Sequence, residues 1–228
     1  MGYIISVEGT DGSGKKTQVD KLYRRLIDMG YDVMRKSFPN YDSPSSSPVK
    51  MYLNGDFGDN DNCLDAYQSS VLYAVDRLCT YNLEIKEFYE KGGIVLLDRY
   101  VQSNMLHQAG KIGDRERVDE FLDWLVNLEF GKLKLPEPDV VFFLDMPIEY
   151  SIKLAESRGA YKSNTKKDIH EQNPDHLKNA YTIGKYVSEK YDWKVINCVE
   201  NDCIKSIDEI HDEIYNAIKD DLDRLGDN

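Results

Sequence analysis

The sequence predicts a three-layer α/β domain: a five-stranded parallel sheet with helices on both faces. Three observations predict it. Short apolar, β-branched runs alternate with longer amphipathic stretches, and strands separated by helices imply right-handed crossovers and parallel pairing. A glycine-rich loop stands where the first strand should hand over to the first helix. The 228 residues are 41% hydrophobic and 11% aromatic, which is enough for one large core and excludes a disordered chain.

The elements follow in order. Tyr3, Ile4, Ile5, Ser6 and Val7 make a buried strand bounded by glycine. Val19, Leu22, Tyr23 and Leu26 recur at helical spacing through 17–29, with Gly30 placed to cap the helix. Residues 32–34 give a second strand, 94–97 a third, 140–144 a fourth and 193–196 a fifth. Helices are predicted over 64–89, 115–128, 148–156, 174–190 and 207–225. Two segments break the rhythm: 37–62, rich in Pro, Ser, Asn, Asp and Gly, and the polar, lysine-bearing 159–167. Each reads either as a surface loop or as a binding loop or lid. The alternation resumes directly after both, so residues 1–228 read as a single domain.

The charges, 29 Lys and Arg against 41 Asp and Glu, sum to −12. That balance excludes a protein whose task is gripping a polymeric nucleic-acid backbone, but not one that binds small phosphorylated ligands in a local basic pocket. No apolar run reaches the roughly 18 residues of a membrane span, and the first residues carry no signal pattern. Cys63, Cys79, Cys198 and Cys203 have neither CxxC spacing nor a neighbouring zinc-type His. They read as reduced thiols, and the expected setting is cytoplasmic, with no membrane partner.

Gly9-Thr10-Asp11-Gly12-Ser13-Gly14-Lys15-Lys16-Thr17 is the most specific local signal. It follows a predicted strand and opens a predicted helix, the context the phosphate-loop pattern GxxxxGK[ST] requires. Gly9, Gly12 and Gly14 let successive N–H groups curl around one anion, Ser13 lies within the curl, and Lys15 reaches the terminal phosphates. The residue after Gly14-Lys15 should be Ser or Thr, whose hydroxyl binds Mg²⁺; here it is Lys16, with Thr17 one step later. Lys16 could supply charge in place of a metal contact, or Thr17 could substitute as ligand. No guanine-reading NKxD segment is present. Asp98 and Arg99 end the third predicted strand, so they should lie beside the phosphate loop. An acid there can orient Mg²⁺ or water, and an Arg can neutralise a phosphoryl group in transfer.

At these residues the sequence resembles the thymidylate kinase family, which phosphorylates dTMP from ATP, and the resemblance runs from about residue 3 to 219. Glu8 to Lys15 is similar to the family's phosphate loop, where Asp11 would approach the acceptor sugar, and Phe38-Pro39 is similar to its loop over the acceptor phosphate. Leu72-Tyr73-Ala74-Val75-Asp76-Arg77 resembles its LFxxxR helix segment, with Tyr73 stacking on thymine and Arg77 holding the acceptor phosphate. Asp98-Arg99-Tyr100, Ser103 and Gln108 resemble its DRYxxS…Q segment, with Gln108 on the base. Pro138 to Asp145, Arg158-Gly159 and Asp168 to Glu171 resemble the strand into its lid and the acidic stretch after it.

The resemblance implies a P-loop kinase fold with a small lid at about 157–168 and ATP with Mg²⁺ as phosphoryl donor. It implies a dTMP-like monophosphate as acceptor and a homodimer through helices around 64–89. Lys15, Asp98, Arg99 and lid Arg158 would then be catalytic, with Asp98 and Thr17 as the metal contacts. Three departures stand out. Lys16 is one, Asn40 and Tyr41 follow Phe38-Pro39 where the family often has Arg, and Gly12 sits where some members place Arg. Lys162, Lys166 and Lys167 are further basic residues of the lid. A related kinase for another deoxynucleotide or nucleoside, or a catalytically weak nucleotide-binding protein, are the alternatives these departures leave open.

Overall fold

Consecutive residues of the first strand, β1 (Tyr3–Glu8), belong to different cores: Ile4 packs into one hydrophobic cluster, Ile5 and Val7 into the other. The same alternation holds in β3 (Ile94–Asp98), where Val95 and Leu97 oppose Ile94 and Leu96. In β4 (Val140–Asp145) Val141 and Phe143 oppose Val140, Phe142 and Leu144. Strands apolar on both faces require helices on both faces. With β2 (Val33–Ser37) and β5 (Lys194–Asn197) they form one parallel sheet in the order β2-β3-β1-β4-β5. The computed structural model describes residues 1–58, 60, 62–157 and 174–226.

The helices are α1 (Lys15–Asp28), α2 (Ser47–Asn54), α3 (Ala66–Thr80), α4 (Lys86–Glu90), α5 (Val101–His107), α6 (Arg115–Val126), α7 (Ile148–Ser157), α8 (Pro174–Lys190), α9 (Ile207–Asn216) and α10 (Lys219–Gly226). One face of the sheet is covered by α1, α9 and α10 through Val19, Leu22, Leu26, Ile210, Ile214 and Leu222. The other is covered by α5, α6 and α8 through Met105, Leu106, Phe121, Leu125 and Val187. A two-stranded hairpin, β6 (Val199–Glu200) with β7 (Cys203–Ile204), follows the sheet's edge strand.

The predicted helix over 64–89 is broken. Asp65 starts α3 with a capping box closed by Gln68, α3 ends at Thr80, and a π-helical turn over Tyr81–Ile85 separates it from α4. The predicted helix over 207–225 is likewise two, α9 and α10, and Ile218 between them is buried. Segment 37–62 is not all loop. A short 3-10 turn over Pro44–Ser46 leads into α2, whose first turn holds Pro48 and whose end is Gly55 at φ 85. Proline marks a helix start there because first-turn N–H groups have no intrahelical partner to lose. Helix α5 and the β6–β7 hairpin were not expected. The lid, apart from Ser157, lies outside the described residues. Among the described residues no helix is long and apolar enough to cross a membrane.

Strand β1 lies between β3 and β4, so the chain diverges on either side of it. A crevice therefore opens beyond the carboxyl ends at Glu8, Asp98 and Asp145. Val7 is level with Asp98, and Glu8 with Phe143, which brings the phosphate loop and the end of β3 side by side.

Candidate active site

The phosphate loop leaves β1 at Glu8 and enters α1 through Gly14, whose φ of 91 lies in the left-handed region. At Gly12, φ 80, a side chain would also collide: its Cβ would stand 2.7 Å from the Ser151 carbonyl oxygen of α7. Helix α1 begins with no side-chain cap and no acidic residue in its first turn, leaving its N-terminal donors to a ligand. Within the loop, the Thr10 Oγ1 and Ser13 Oγ hydroxyls are buried without a hydrogen-bond partner. Orphaned buried donors are rare, and an anion in the loop would satisfy them. Lys15 Nζ donates to the Thr10 carbonyl at 2.8 Å. Burial, reinforced by Arg99, pushes its ammonium down to about 8 against the opposing pull of Asp11, Asp98 and Glu8.

The turn after β3 is held from beneath by Glu8, which is fully buried. Its carboxylate accepts from the Tyr100 backbone N–H at 2.7 Å, the Ser103 hydroxyl at 2.6 Å and the Ser6 hydroxyl at 2.9 Å. Burial raises its pKa, and these donors with Arg99 oppose that rise. Above it Arg99 adopts φ 69, a conformation costing about 1–3 kcal/mol in a non-glycine residue and characteristic of functional sites. Its guanidinium pairs with Asp11 and donates to the Gly9 carbonyl at 3.4 Å and the Ser103 hydroxyl at 3.3 Å. Burial works against its charge, but Asp11, Asp98 and Glu8 outweigh that and raise its pKa.

These groups line a two-chambered cleft. Gly12, Gly14, Lys15, Lys16 and Asp98 line the outer chamber; Tyr73, Arg77, Ser103, Asn104, His107 and Gln108 line the inner one. Asp11, Phe38 and Arg99 border both. The inner chamber is open to solvent, with about 590 Å³ of non-protein space counting the solvent at its mouth. Half-buried Tyr73 and buried Gln108 stand there together; Gln108 Oε1 accepts from Ser69 at 2.7 Å, and Asn104 donates to the Ser70 carbonyl at 3.3 Å.

Two expectations change, and one departure gains a physical account. Thr17 does not join Asp98: one residue further round the helix, it lines a separate groove between α1 and α9 with Lys21, Ile207 and His211. Arg77 is not a free cation, because it is 1% exposed and held by Glu129, itself 0% exposed. Its Nε donates to Glu129 Oε2 at 2.6 Å and its Nη1 to the Tyr100 carbonyl at 3.4 Å, making it a neutralised part of the inner wall. Asn40 does not replace the absent arginine, since its amide turns to Thr80 and Glu84 while its backbone N–H donates to Asp76 at 2.8 Å. Arg158, Lys162, Lys166 and Lys167 lie outside the described residues.

Among the described residues no group of three acidic, His or Cys side chains forms a metal cluster. The cleft nevertheless fits a phosphate-borne Mg²⁺, which takes one or two carboxylates with the remaining ligands from phosphate and water, and Asp98 supplies such a carboxylate. Sequence reasoning gave no role to Glu8, Asn104, His107 or Glu129. For Glu8 a signal existed, because a carboxylate closing an otherwise apolar buried strand needs a reason to be there.

The thymidylate kinase family profile matches residues 7–214. A thymidylate kinase of Halothermothrix orenii is 30% identical over 221 residues, 96% of this chain and 97% of the relative. A probable thymidylate kinase of Pyrococcus abyssi is 26% identical over 97% of this chain and 98% of its own length. The solved thymidylate kinase of Candida albicans superposes with a TM-score of 0.72 at 20% identity, over 97% of this chain and 92% of that one, which shows a shared fold. With a phosphate loop opening α1, Arg99 beside it and the profile running through both, the chain belongs to the thymidylate kinase family.

Proposed function

We propose that this chain transfers the γ-phosphoryl group of ATP to the phosphate of dTMP. One observation carries the reading: a loop with unpartnered buried hydroxyls opens, through Asp11 and Arg99, onto a chamber lined by an aromatic side chain and two carboxamides. The donor phosphates would lie in the loop of Gly9, Gly12, Ser13 and Gly14, with Lys15 at the terminal phosphates and exposed Lys16 adding charge at the rim. Thr17 would contribute to nucleotide binding from the first turn of α1 rather than to the metal. Mg²⁺ accompanying ATP would supply charge neutralisation, with Asp98 as its protein contact.

The acceptor base would stack on Tyr73, worth about 1–3 kcal/mol, and Gln108 and Asn104 would read its edge. Phe38 and Ser103 would wall the acceptor, and Asp11 would meet its sugar. A phosphate acceptor is already anionic, so no strong general base is required; positioning and neutralisation carry the rate. Arg99 is placed to do both, because its fork reaches each chamber. Arg158 would complete the charge around the transferring group from the lid.

A second reading rests on the acceptor side alone. With Arg77 neutralised by Glu129 and Asn40 in place of an arginine, the other arginine described at the inner chamber is Arg99, itself paired with exposed Asp11, which favours an acceptor of lower charge, a nucleoside. A turnover assay with ATP, Mg²⁺ and a panel of nucleosides and monophosphates separates the two. The expected result is a preference for dTMP. Preference for thymidine overturns it, and transfer to no acceptor leaves a nucleotide-binding protein.

The proposal includes one domain over residues 1–228 and a homodimer. Tyr67, Val71 and Val75 form an exposed apolar stripe at helical spacing along α3, and a second copy would cover it. It also includes a cytoplasmic setting, in keeping with four free thiols.

A further inference from the structure

We propose that His107 and His176 act as a two-histidine positioning relay that fixes the Arg99 guanidinium in the cleft and ties it to the start of α8. The inference rests on the assignment of Arg99 to the transfer step. Arg99 Nη1 lies 3.0 Å from His107 Nε2, and His107 Nδ1 lies 3.3 Å from His176 Nε2. The two rings are nearly parallel, 14° apart with centroids 5.5 Å apart. His107 is the last residue of α5 and lines the inner chamber beside Arg99. His176 is 5% exposed and is the third residue of α8, a helix that packs along α5.

The protons in this chain run one way. A guanidinium has five donors and no acceptor, so His107 Nε2 must accept from Arg99. A neutral imidazole that accepts at Nε2 carries its proton at Nδ1, and that N–H donates to His176 Nε2. His176 in turn holds its proton at Nδ1. The order Arg99 to His107 to His176 is therefore fixed by the one member that never gives up its proton.

Protonating either ring breaks the order. A proton on His107 Nε2 sets an N–H and a positive charge against Arg99 Nη1. A proton on His176 Nε2 opposes the His107 Nδ1–H, and the ring can then satisfy only one neighbour. Among the described residues, the charged and titratable groups sharing the chamber with His107 are Arg99 and Tyr100 from the β3–α5 turn, Asp11 from the phosphate loop, Tyr73 and Arg77 from α3, and Tyr41 after Phe38-Pro39. Arg77 is neutralised by Glu129, and Asp11 pairs with the far side of the Arg99 fork. Acid that protonates either ring therefore loosens Arg99 without removing its charge.

The relay predicts a split that simple packing would not produce. His107→Phe should lower kcat by about 10–100-fold through misplacement of Arg99, while KM for ATP changes little. His107→Gln, whose amide oxygen can accept from Arg99 but does not titrate, should recover part of the lost rate and flatten the acid limb of the kcat profile. A kcat for His107→Phe close to that of the unmodified enzyme, or an unchanged acid limb in His107→Gln, overturns the proposal. Long-range ¹H–¹⁵N correlation spectra of the full chain labelled in histidine give a readout independent of activity. They should show His107 neutral with its proton on Nδ1 near pH 7.5, and Arg99→Met should release that preference. A proton on Nε2 of His107 overturns the relay, and this arm decides even if no acceptor is phosphorylated.

Discussion

The two chambers of the cleft are built by different means. The outer one is a stretch of backbone: nine consecutive residues, 9–17, set by three positive-φ glycines and a helix start. The inner one is a set of long-range clamps: Glu8 to Tyr100 and Ser103, Arg77 to Glu129, Asp76 to Asn40, His107 to His176. A local loop can lose a side chain and keep its shape. A clamp between buried charges loses structure when one partner goes.

The largest expected effect is on the inner side. Glu129→Ala strands a fully buried arginine, which costs about 3–5 kcal/mol. For a chain of this size that is roughly 6–20 °C in melting temperature. The double variant Arg77→Met, Glu129→Leu should lose less than this single change, because no buried charge is left alone. A melting temperature unmoved in Glu129→Ala would mean that the inner chamber is not held by this pair.

The outer chamber should show the opposite pattern. Under the proposed assignment Lys15→Ala and Arg99→Ala each remove charge aimed at the transferring group, with an expected loss of about 10²–10³ in turnover. Neither should lower the melting temperature much. Lys15 is a buried cation with one carbonyl partner, and alanine at position 99 meets the same backbone strain as arginine. Near-normal turnover in Arg99→Ala would remove it from the mechanism. Glu8→Gln sits between the two regions, since the same carboxylate ends β1 and carries the Arg99 turn. It swaps one acceptor for a donor facing Tyr100 N–H or the Ser103 hydroxyl, so a loss of about 1–3 kcal/mol should appear in both unfolding and turnover. An effect on only one of these would show that the chambers are not joined there.

The same contrast explains what could be read in advance. The central strands β1, β3 and β4 were legible because β-branched apolar runs need no partner to be recognised, and the phosphate loop because its chemistry lies within one short segment. The ends of the long helices were not, because the π-helical turn at Tyr81–Ile85 leaves the apolar spacing of its neighbours intact. The Arg77–Glu129 pair spans 52 residues and the histidine contact 69, separations at which spacing carries no information. Phe38, Pro39, Tyr73 and Arg77, singled out by resemblance, line the inner chamber, yet the resemblance alone could not show that Arg77 is already neutralised. Fold and outer chamber are local properties; the inner chamber is a tertiary one.

The smallest effect tests whether the outer chamber depends on charge as well as shape. Burial and the neighbouring Arg99 push Lys15 down to about 8. Above that pH the free enzyme loses the charge that meets the donor phosphates, so kcat/KM for ATP should fall toward tenfold per pH unit. Bound phosphates restore the proton, so kcat should hold to higher pH. The sign for stability is opposite. Between about 8 and 10.4, the ordinary lysine value, the unfolded chain binds more protons at Lys15 than the folded one, and its contribution to the stability of the ligand-free enzyme rises with pH. Lys15→Arg, which stays protonated throughout, should abolish the alkaline fall in kcat/KM whatever its absolute rate. If the fall persists in that variant, another group titrates and the outer chamber selects its anion by backbone geometry alone.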